Sequence, residues 1–180
     1  MEQGDEAERR LRELPEPPFP VDGFDLRAAQ AAFAAGLFDR AEPWVKSAVE
    51  RDPDDADAHH LLGLLAEQSG DIQAMARHFL RVRDLDLMEA APPWGMRPKE
   101  FERVGEQALQ DLPEQVRRRL RDVPILASDY PSVELVAEGS DPRMMGFFSG
   151  VPYPEQSHVG GQPPHLDCIF LYQRNIERFS

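Results

Sequence analysis

The sequence predicts an α+β fold in which helical hairpins come first and a small domain of helices and short strands follows. Between Phe24 and Leu87, small and apolar residues recur with a period of 34 residues, which is typical of a repeated pair of helices. Two short apolar runs further on, Val123–Ala127 and Cys168–Tyr172, have the composition of strands. The order of these patterns, helices before strands, predicts an α+β fold.

Composition excludes several classes of function. The chain has 180 residues, of which 33 are acidic and 20 are basic, so its formal charge of −13 argues against binding nucleic acid through phosphates. No apolar run approaches the ~18 residues that a membrane helix needs. Cys168 is the only cysteine, which excludes an intrachain disulfide framework. The N-terminus is acidic where a secretory signal would be basic and then apolar, so we expect a cytoplasmic protein.

Proline clusters indicate the domain boundaries, because each proline lacks an amide donor and restricts the residue before it. They predict a flexible Pro-rich N-terminal segment over residues 1–22 and a repeat pair over 23–90. A Pro-rich linker is predicted over 91–98, and a second domain over 99–180.

The repeat pair is predicted from matched positions 34 residues apart. Each unit would be a hairpin of two helices that approach closely through small residues, with a glycine at a turn that needs positive φ. The period and pattern resemble tetratricopeptide repeats, which implies that a concave face takes a protein or peptide partner. Two repeats are fewer than usually form a stable stack, so we expect the next helix to cap the second one. The matched pairs are Gly36 with Gly70, Ala41 with Met75, Val45 with Phe79, and Ala48 with Val82.

The second domain is predicted to alternate short helices and strands. Helical spacing indicates two amphipathic helices between Pro98 and Arg121. A short paired segment is expected at Met145–Phe148, and a surface loop at Tyr153–Gly161. A last helix would begin at about Arg174.

No common catalytic motif is intact. In Gly146–Gly150 the serine is displaced from the centre of a G-x-S-x-G nucleophile elbow, and no P-loop is present. His59 and His60 point about 100° apart on a helix, so we interpret them as structural and not as a ligand pair. One group of residue types could form a mixed metal or thiol site if its members converged: His158, His165, Asp167 and Cys168.

From Phe101 onward the chain resembles the small bacterial zincin-like metallopeptidases that have a minimal matrix-metalloprotease-like domain. The resemblance rests on the order and spacing of several segments over about 80 residues. These are the helix Phe101–Leu109 with Leu112-Pro113, the strand Val123–Leu126, the segment Met145–Pro152, similar to the family's L-G-L-Y-x-G-x-P, and Pro164–Tyr172, similar to its P-D-x-I-x-L-Y.

The resemblance implies a scaffold role for particular residues. In the family, a helix bearing H-E-x-x-H follows the L-Y strand, binds Zn²⁺ and activates water. The present sequence ends at Ser180 before such a motif, so we expect these 180 residues to contain no metal ligand and to be catalytically silent, with Zn²⁺ expected only if the chain continues. The residues implied to form the scaffold near the substrate cleft are Gly146, Phe148, Gly150, Pro152, Ile169, Leu171 and Tyr172.

Three hypotheses remain open. The chain is a fragment or truncated relative of a zinc metallopeptidase, with the repeats as a recruiting module, or it is a complete, non-catalytic adaptor that binds through the concave repeat face. The third is an enzyme that uses the His158, His165, Asp167 and Cys168 group. The first hypothesis predicts that the apolar strand Cys168–Tyr172 has one face uncovered, because the next helix is missing.

Overall fold

The computed structural model describes residues 2–150 and 166–179, and its helices and three-stranded sheet confirm the predicted α+β class. None of the described helices is both long and apolar enough to cross a bilayer. In chain order the elements are α1 (Glu2–Glu13), α2 (Phe24–Ala34), α3 (Phe38–Arg51), α4 (Ala56–Ser69), α5 (Ile72–Met88), α6 (Pro98–Gln110), α7 (Glu114–Leu120), β1 (Ile125–Ser128), α8 (Val133–Ala137), β2 (Gly146–Gly150), β3 (Leu166–Tyr172) and α9 (Gln173–Arg178).

The chain divides into two compact units. Unit 1 comprises Met1–Glu89 and Ser132–Pro142, and unit 2 comprises Ala90–Pro131 and Arg143–Ser180. The sequence analysis assigned all of 99–180 to the second domain. The structure differs from it over Ser132–Pro142, which packs within unit 1.

Two helical hairpins, α2 with α3 and α4 with α5, form most of unit 1. Gly36 and Gly70, at the turns, have φ of 74° and 75°, which confirms the predicted need for positive φ at both positions. The helices of the second hairpin approach closely at Gly63, where a Cβ atom would lie 2.3 Å from Cε1 of Phe79. Asp55 and Asp71 accept hydrogen bonds from backbone N–H groups in the first turns of α4 and α5 and so cap them.

The segment that precedes the hairpins belongs to unit 1 and packs against them. It begins with α1, a helix that the sequence analysis did not predict, and residues 14–20 are non-helical, as expected from their prolines. Phe19 is buried, with its ring centroid 6.0 Å from that of Trp44. Its backbone N–H donates to Asp25 Oδ1 over 3.1 Å, and Arg51 Nη1 lies 3.2 Å from Asp25 Oδ2.

The second hairpin is covered by α8. Val136, on this helix, is fully buried in a cluster with Ala66, Met75 and Phe79. The sequence analysis expected the helix that follows the repeats to have this role, which was wrong because α6 belongs to unit 2. A five-residue helix far along the chain gives no periodic signal that would reveal its packing partner.

Unit 2 contains a three-stranded sheet with the order β1-β3-β2. The central strand β3 is parallel to β1, with Ile125 opposite Ile169, and antiparallel to β2, with Phe147 opposite Phe170. The strand predicted at 123–127 is β1, which begins two residues later and ends one residue later. The strand predicted at 168–172 is β3, which begins two residues earlier. The pairing predicted at Met145–Phe148 is β2. The helix predicted near Arg174 is α9.

The two faces of this sheet differ. Helix α6 packs on the face that carries Ile169 and Leu171, since a Cβ atom at Gly105 would lie 3.2 Å from Leu171 Cδ1. On the opposite face the rings of Phe147 and Phe170 stack at 4.6 Å and are half-buried, and Leu126 is 46% exposed. The sequence predicted that one face of the sheet would be uncovered. On the face of Phe147 and Phe170, this is the case at Leu126, which is exposed, but not at Tyr172, which is buried.

Candidate functional site

Strand β2 lies at one edge of the sheet, and among the described strands it pairs with β3 alone. The Tyr172 N–H donates to the Met145 carbonyl over 2.9 Å, which makes these two residues a hydrogen-bonded antiparallel pair. Because such pairs alternate along an antiparallel ladder, Phe147 also bonds to β3, whereas the backbone N–H and C=O groups of Gly146 and Phe148 point away from it. The outer side of β2 is therefore directed toward a potential further strand.

Two of the scaffold glycines have backbone reasons for being glycine. A Cβ atom at Gly146 would lie 2.3 Å from the carbonyl oxygen of Phe170, so only glycine lets β2 approach β3 at this point. Gly150 has φ of 144° at the register shift where it pairs with Leu166, a conformation that other residues rarely adopt. These glycines fix the path of the edge strand.

Phe148 projects beside a cavity in unit 2. The Phe148 residue is 64% exposed, and together with α7 it lines a cavity of about 450 Å³. The walls on α7 are mostly apolar or aliphatic, and Val116 on that helix is 41% exposed. The residues of α7 that line the cavity are Gln115, Val116, Arg119 and Leu120. The outer edge of β2 and this cavity are contiguous, because Phe148 belongs to both.

The remaining described scaffold residues support this edge from the central strand. Ile169 lies directly opposite Phe148 in the β2–β3 ladder and is 5% exposed. Leu171 lies opposite Gly146 and contacts α6. Tyr172 ends the strand, and burial raises the pKa of its phenol. These residues of β3 support the edge strand β2 by packing and are not positioned to contact a ligand.

Some predicted residues lie outside the described part of the chain. Pro152, from the scaffold set, and His158 and His165, from the alternative metal or thiol group, are among residues 151–165, which the structure does not describe. Of that alternative group, Cys168 is a free thiol opposite Ser149, and Asp167 is the extra residue of β3 at the register shift.

The sequence analysis missed a buried polar cluster around Glu177 in unit 2. The Oε1 atom of Glu177 accepts hydrogen bonds from the Met96 backbone N–H over 2.8 Å and from Gln173 Nε2 over 2.7 Å. Trp94 Nε1 donates to the Glu177 carbonyl over 3.3 Å. Glu177 is only 3% exposed, yet a glutamine and a glutamate four residues apart give the same sequence pattern as a solvated helix face.

A zinc site is implied by the family resemblance, and we compared the described residues with its requirements. Zinc in proteins takes three or four ligands from Cys, His, Asp and Glu. Across residues 2–150 and 166–179, no group of three or more such residues could hold a metal ion. The described residues therefore do not supply the ligands of the zinc site that the family resemblance implies.

Comparison with known families gives a match to part of the chain. Residues 120–180, about a third of the chain, match the family described as Zincin-like metallopeptidase. Neither a curated protein nor a solved structure matches the chain. The matched segment contains all three strands and α9, so the candidate edge lies inside it. The match supports the relationship to zincin-like metallopeptidases that the sequence motifs indicated.

Proposed function

We propose that unit 2 binds an extended peptide along β2, as the substrate-binding wall of a zincin-like metallopeptidase. The observation that carries this proposal is the outward direction of the Gly146 and Phe148 backbone groups, beside an apolar cavity. The family match over residues 120–180 supports the peptide as the class of ligand. The recruiting role of the helical hairpins is a second part of the same proposal.

Binding would occur by strand addition. The N–H groups of Gly146 and Phe148 donate to the peptide backbone, and their carbonyl groups accept from it. Side chains of an added strand alternate between the two faces of the sheet, so one of them lies on the face of Phe148 and enters the cavity beside Val116. Burial of an apolar side chain there would contribute about 1.5–3 kcal/mol, so we expect a preference for peptides with an apolar residue at that position.

The role of the described residues is to bind and orient the peptide. A main-chain ladder fixes the peptide direction and register, and the cavity selects one side chain. Metal ligands and the proton acceptor of peptide hydrolysis are not assigned to any described residue.

Two substitutions at Phe148 separate the backbone contribution from the side-chain contribution. Phe148→Ala removes the wall of the cavity but keeps the outward N–H group. Phe148→Pro removes both, and proline is tolerated where an edge-strand N–H faces solvent. With a fluorescein-labelled extended peptide of alternating apolar and polar residues, fluorescence anisotropy should show weaker binding for Phe148→Ala. For Phe148→Pro we expect at least about a tenfold loss relative to the native chain.

Ser149→Ala provides the matched control on the same strand. Its backbone groups face β3 and its side chain lies on the other face of the sheet, so peptide affinity should be unchanged. Equal affinity of the native chain and the Phe148→Pro variant would contradict binding at this edge. Circular dichroism of each variant verifies that the fold is retained.

The coding DNA beyond codon 180 separates an enzyme from an adaptor. We propose that an in-frame H-E-x-x-H motif follows, on a helix that completes the metallopeptidase. Its presence would support the metallopeptidase proposal, and a stop codon directly after Ser180 would favour the adaptor. Zinc analysis of the longer product would then test for the metal.

The adaptor function has its own supporting observation in unit 1. A groove of about 520 Å³ lies between α3, α4 and α5, with both apolar and charged walls. Such a lining suits an amphipathic partner helix. Its walls include Phe38, Glu42, Leu62, Leu65, Arg77 and His78.

A pull-down with the full chain tests the adaptor. Phe38 is 38% exposed, so Phe38→Asp changes the groove with little effect on the core. A partner that is retained by the native chain and by the Phe148→Pro variant, but lost by Phe38→Asp, would support binding at the groove. Retention by Phe38→Asp would contradict it.

A further inference from the structure

Two histidines of unit 1 that lie 19 positions apart in sequence meet across the second hairpin. Nδ1 of His59, on α4, is 3.1 Å from Nδ1 of His78, on α5. The two rings are tilted by 32°, and their centroids are 5.3 Å apart. Two imidazole nitrogens at this separation can both reach one metal ion, because zinc lies about 2.0–2.1 Å from a histidine nitrogen and the N–metal–N angle would be ~100°.

The contacts of His59 determine which of its nitrogens carries a proton. Its Nε2 atom is 3.0 Å from the Pro53 carbonyl oxygen, which can only accept a hydrogen bond. Nε2 is therefore the donor, and in the neutral ring the lone pair of Nδ1 faces His78. Metal-binding histidines have the same arrangement, since they almost always donate the second ring N–H to a carbonyl or carboxylate. His59 is thus held ready as a ligand.

His78 is kept neutral by its surroundings. Burial, followed by the smaller effects of the neighbouring His59 and Arg77, lowers the pKa of His78 to about 4. A neutral imidazole is the form that binds a metal. Without a metal, its Nδ1–H donates to His59 Nδ1.

We propose that His59 and His78 form a two-imidazole site for a divalent transition-metal ion, Cu²⁺ or Ni²⁺. On binding, the two Nδ1 lone pairs coordinate the metal. The Nδ1 proton of His78 moves through solvent to its Nε2 atom, so the ring stays neutral and no proton is released overall. Water completes the coordination on the exposed side. The site lies in unit 1 and is independent of peptide binding at β2.

The class of metal follows from the ligand type. Imidazole nitrogen suits Zn²⁺, Ni²⁺ and Cu²⁺, whereas Mg²⁺ and Ca²⁺ require oxygen ligands. Among these ions Cu²⁺ should bind most tightly, in the Irving–Williams order. The Arg77 cation beside His78 opposes any bound cation, so Arg77→Gln should strengthen binding.

Isothermal titration of the full chain with Ni²⁺ tests the site. His158 and His165 are first replaced by Gln in all samples, so that these imidazoles cannot contribute. We expect one ion per chain, with at least about a tenfold loss of affinity in His59→Gln and in His78→Gln. His60→Gln is the control, because His60 Nε2 contacts Asp141 Oδ1 at 2.9 Å and a glutamine amide can keep that contact. Binding that is absent, or unchanged in His59→Gln and His78→Gln, would overturn the proposal.

A spectroscopic measurement covers the case in which a variant does not fold. Electron paramagnetic resonance of the chain with one equivalent of Cu²⁺ counts the imidazole nitrogens on the metal. Two imidazoles per ion, in the chain that lacks His158 and His165, would support the site. A spectrum with no imidazole, or only one, would overturn it without any change to unit 1.

Discussion

The carbonyl oxygen of Phe170 lies 2.3 Å from the position that a Cβ atom at Gly146 would occupy. The obstacle is backbone of the central strand, which cannot move aside as the end of a flexible side chain can. This contact makes the edge strand of the proposed peptide site depend on one glycine.

We therefore expect Gly146→Ala to lower the free energy of unfolding by about 2–4 kcal/mol, because β2 must separate from β3. Urea denaturation measures this change. Gly105→Ala is the matched control, because a Cβ atom there meets only the ends of flexible side chains, Leu171 Cδ1 at 3.2 Å and Ile125 Cδ1 at 3.9 Å. Alanine also favours the helix by about 1 kcal/mol. An equal effect of both substitutions would show that the contact between β2 and β3 is not the cause.

The ion pair of Asp25 and Arg51 anchors the N-terminal segment. Asp25 is buried, and it also accepts from the Phe19 backbone N–H. Asp25→Ala leaves that N–H group without its acceptor and removes the buried carboxylate from the Arg51 guanidinium, which keeps its contacts with the Phe19 carbonyl and Asp22. We therefore expect the free energy of thermal or urea unfolding to fall by about 1–3 kcal/mol. Glu42→Ala breaks an exposed pair with Lys46 and should cost less than about 0.5 kcal/mol. A cost for Asp25→Ala as small as that would contradict the anchoring role.

His78 should make stability depend on pH. Its pKa is lowered to about 4 in the folded chain, below the ordinary value of 6.5, so the unfolded chain binds more protons between these values. The stabilisation is complete above pH 6.5 and is lost as the pH falls toward 4. Because the ring is partly solvated, screening reduces the loss to about 1–2 kcal/mol.

Urea denaturation between pH 4 and 7.5, with a metal chelator present, measures this dependence. The charged groups that line the groove around His78 are Asp39, Glu42, Lys46, Asp71 and Arg77. They are the same in His78→Gln, which should lose this part of the pH dependence while keeping that of the other groups. An identical pH profile for His78→Gln and the native chain would contradict the assignment to His78.

Glu177 should be important for the stability of unit 2. Glu177→Ala leaves the Met96 N–H without its acceptor, whereas the Gln173 amide keeps the Met96 carbonyl, so we expect the free energy of unfolding to fall by about 1–3 kcal/mol. The Glu177 carbonyl that accepts from Trp94 is backbone and is kept in Glu177→Ala, so tryptophan fluorescence reports whether α9 holds its position. Glu102→Ala, at an exposed position of α6, is the control and should be neutral. If Glu177→Ala leaves the free energy of unfolding unchanged, water must replace the carboxylate as the acceptor.

Local signals predicted much of the fold. Gly36 and Gly70 predicted the turns, because positive φ is a property of the residue itself. The apolar run at 168–172 predicted the central strand, because its composition is that of a buried strand. Helix α1 was missed, although the pairs Glu6–Arg10 and Glu8–Arg12 have the spacing that stabilises a helix.

Contacts between distant segments could not be predicted. The packing of Val136 against Phe79 brings together residues 57 positions apart, and no periodicity links them. At the candidate site, the resemblance supplied Gly146 and Phe148, but the cavity between Phe148 and α7 arises only when helix and strand meet. The contact of His59 with His78 was missed because the sequence was searched for histidines one helical turn apart, within a single helix.

The most direct test of the peptide-binding account is to map a bound peptide by nuclear magnetic resonance, using intermolecular Overhauser effects. The account predicts contacts between backbone protons of the peptide and those of Gly146 and Phe148, with an apolar peptide side chain near Val116. Contacts confined to unit 1, or to the Leu126 face of the sheet, would contradict it.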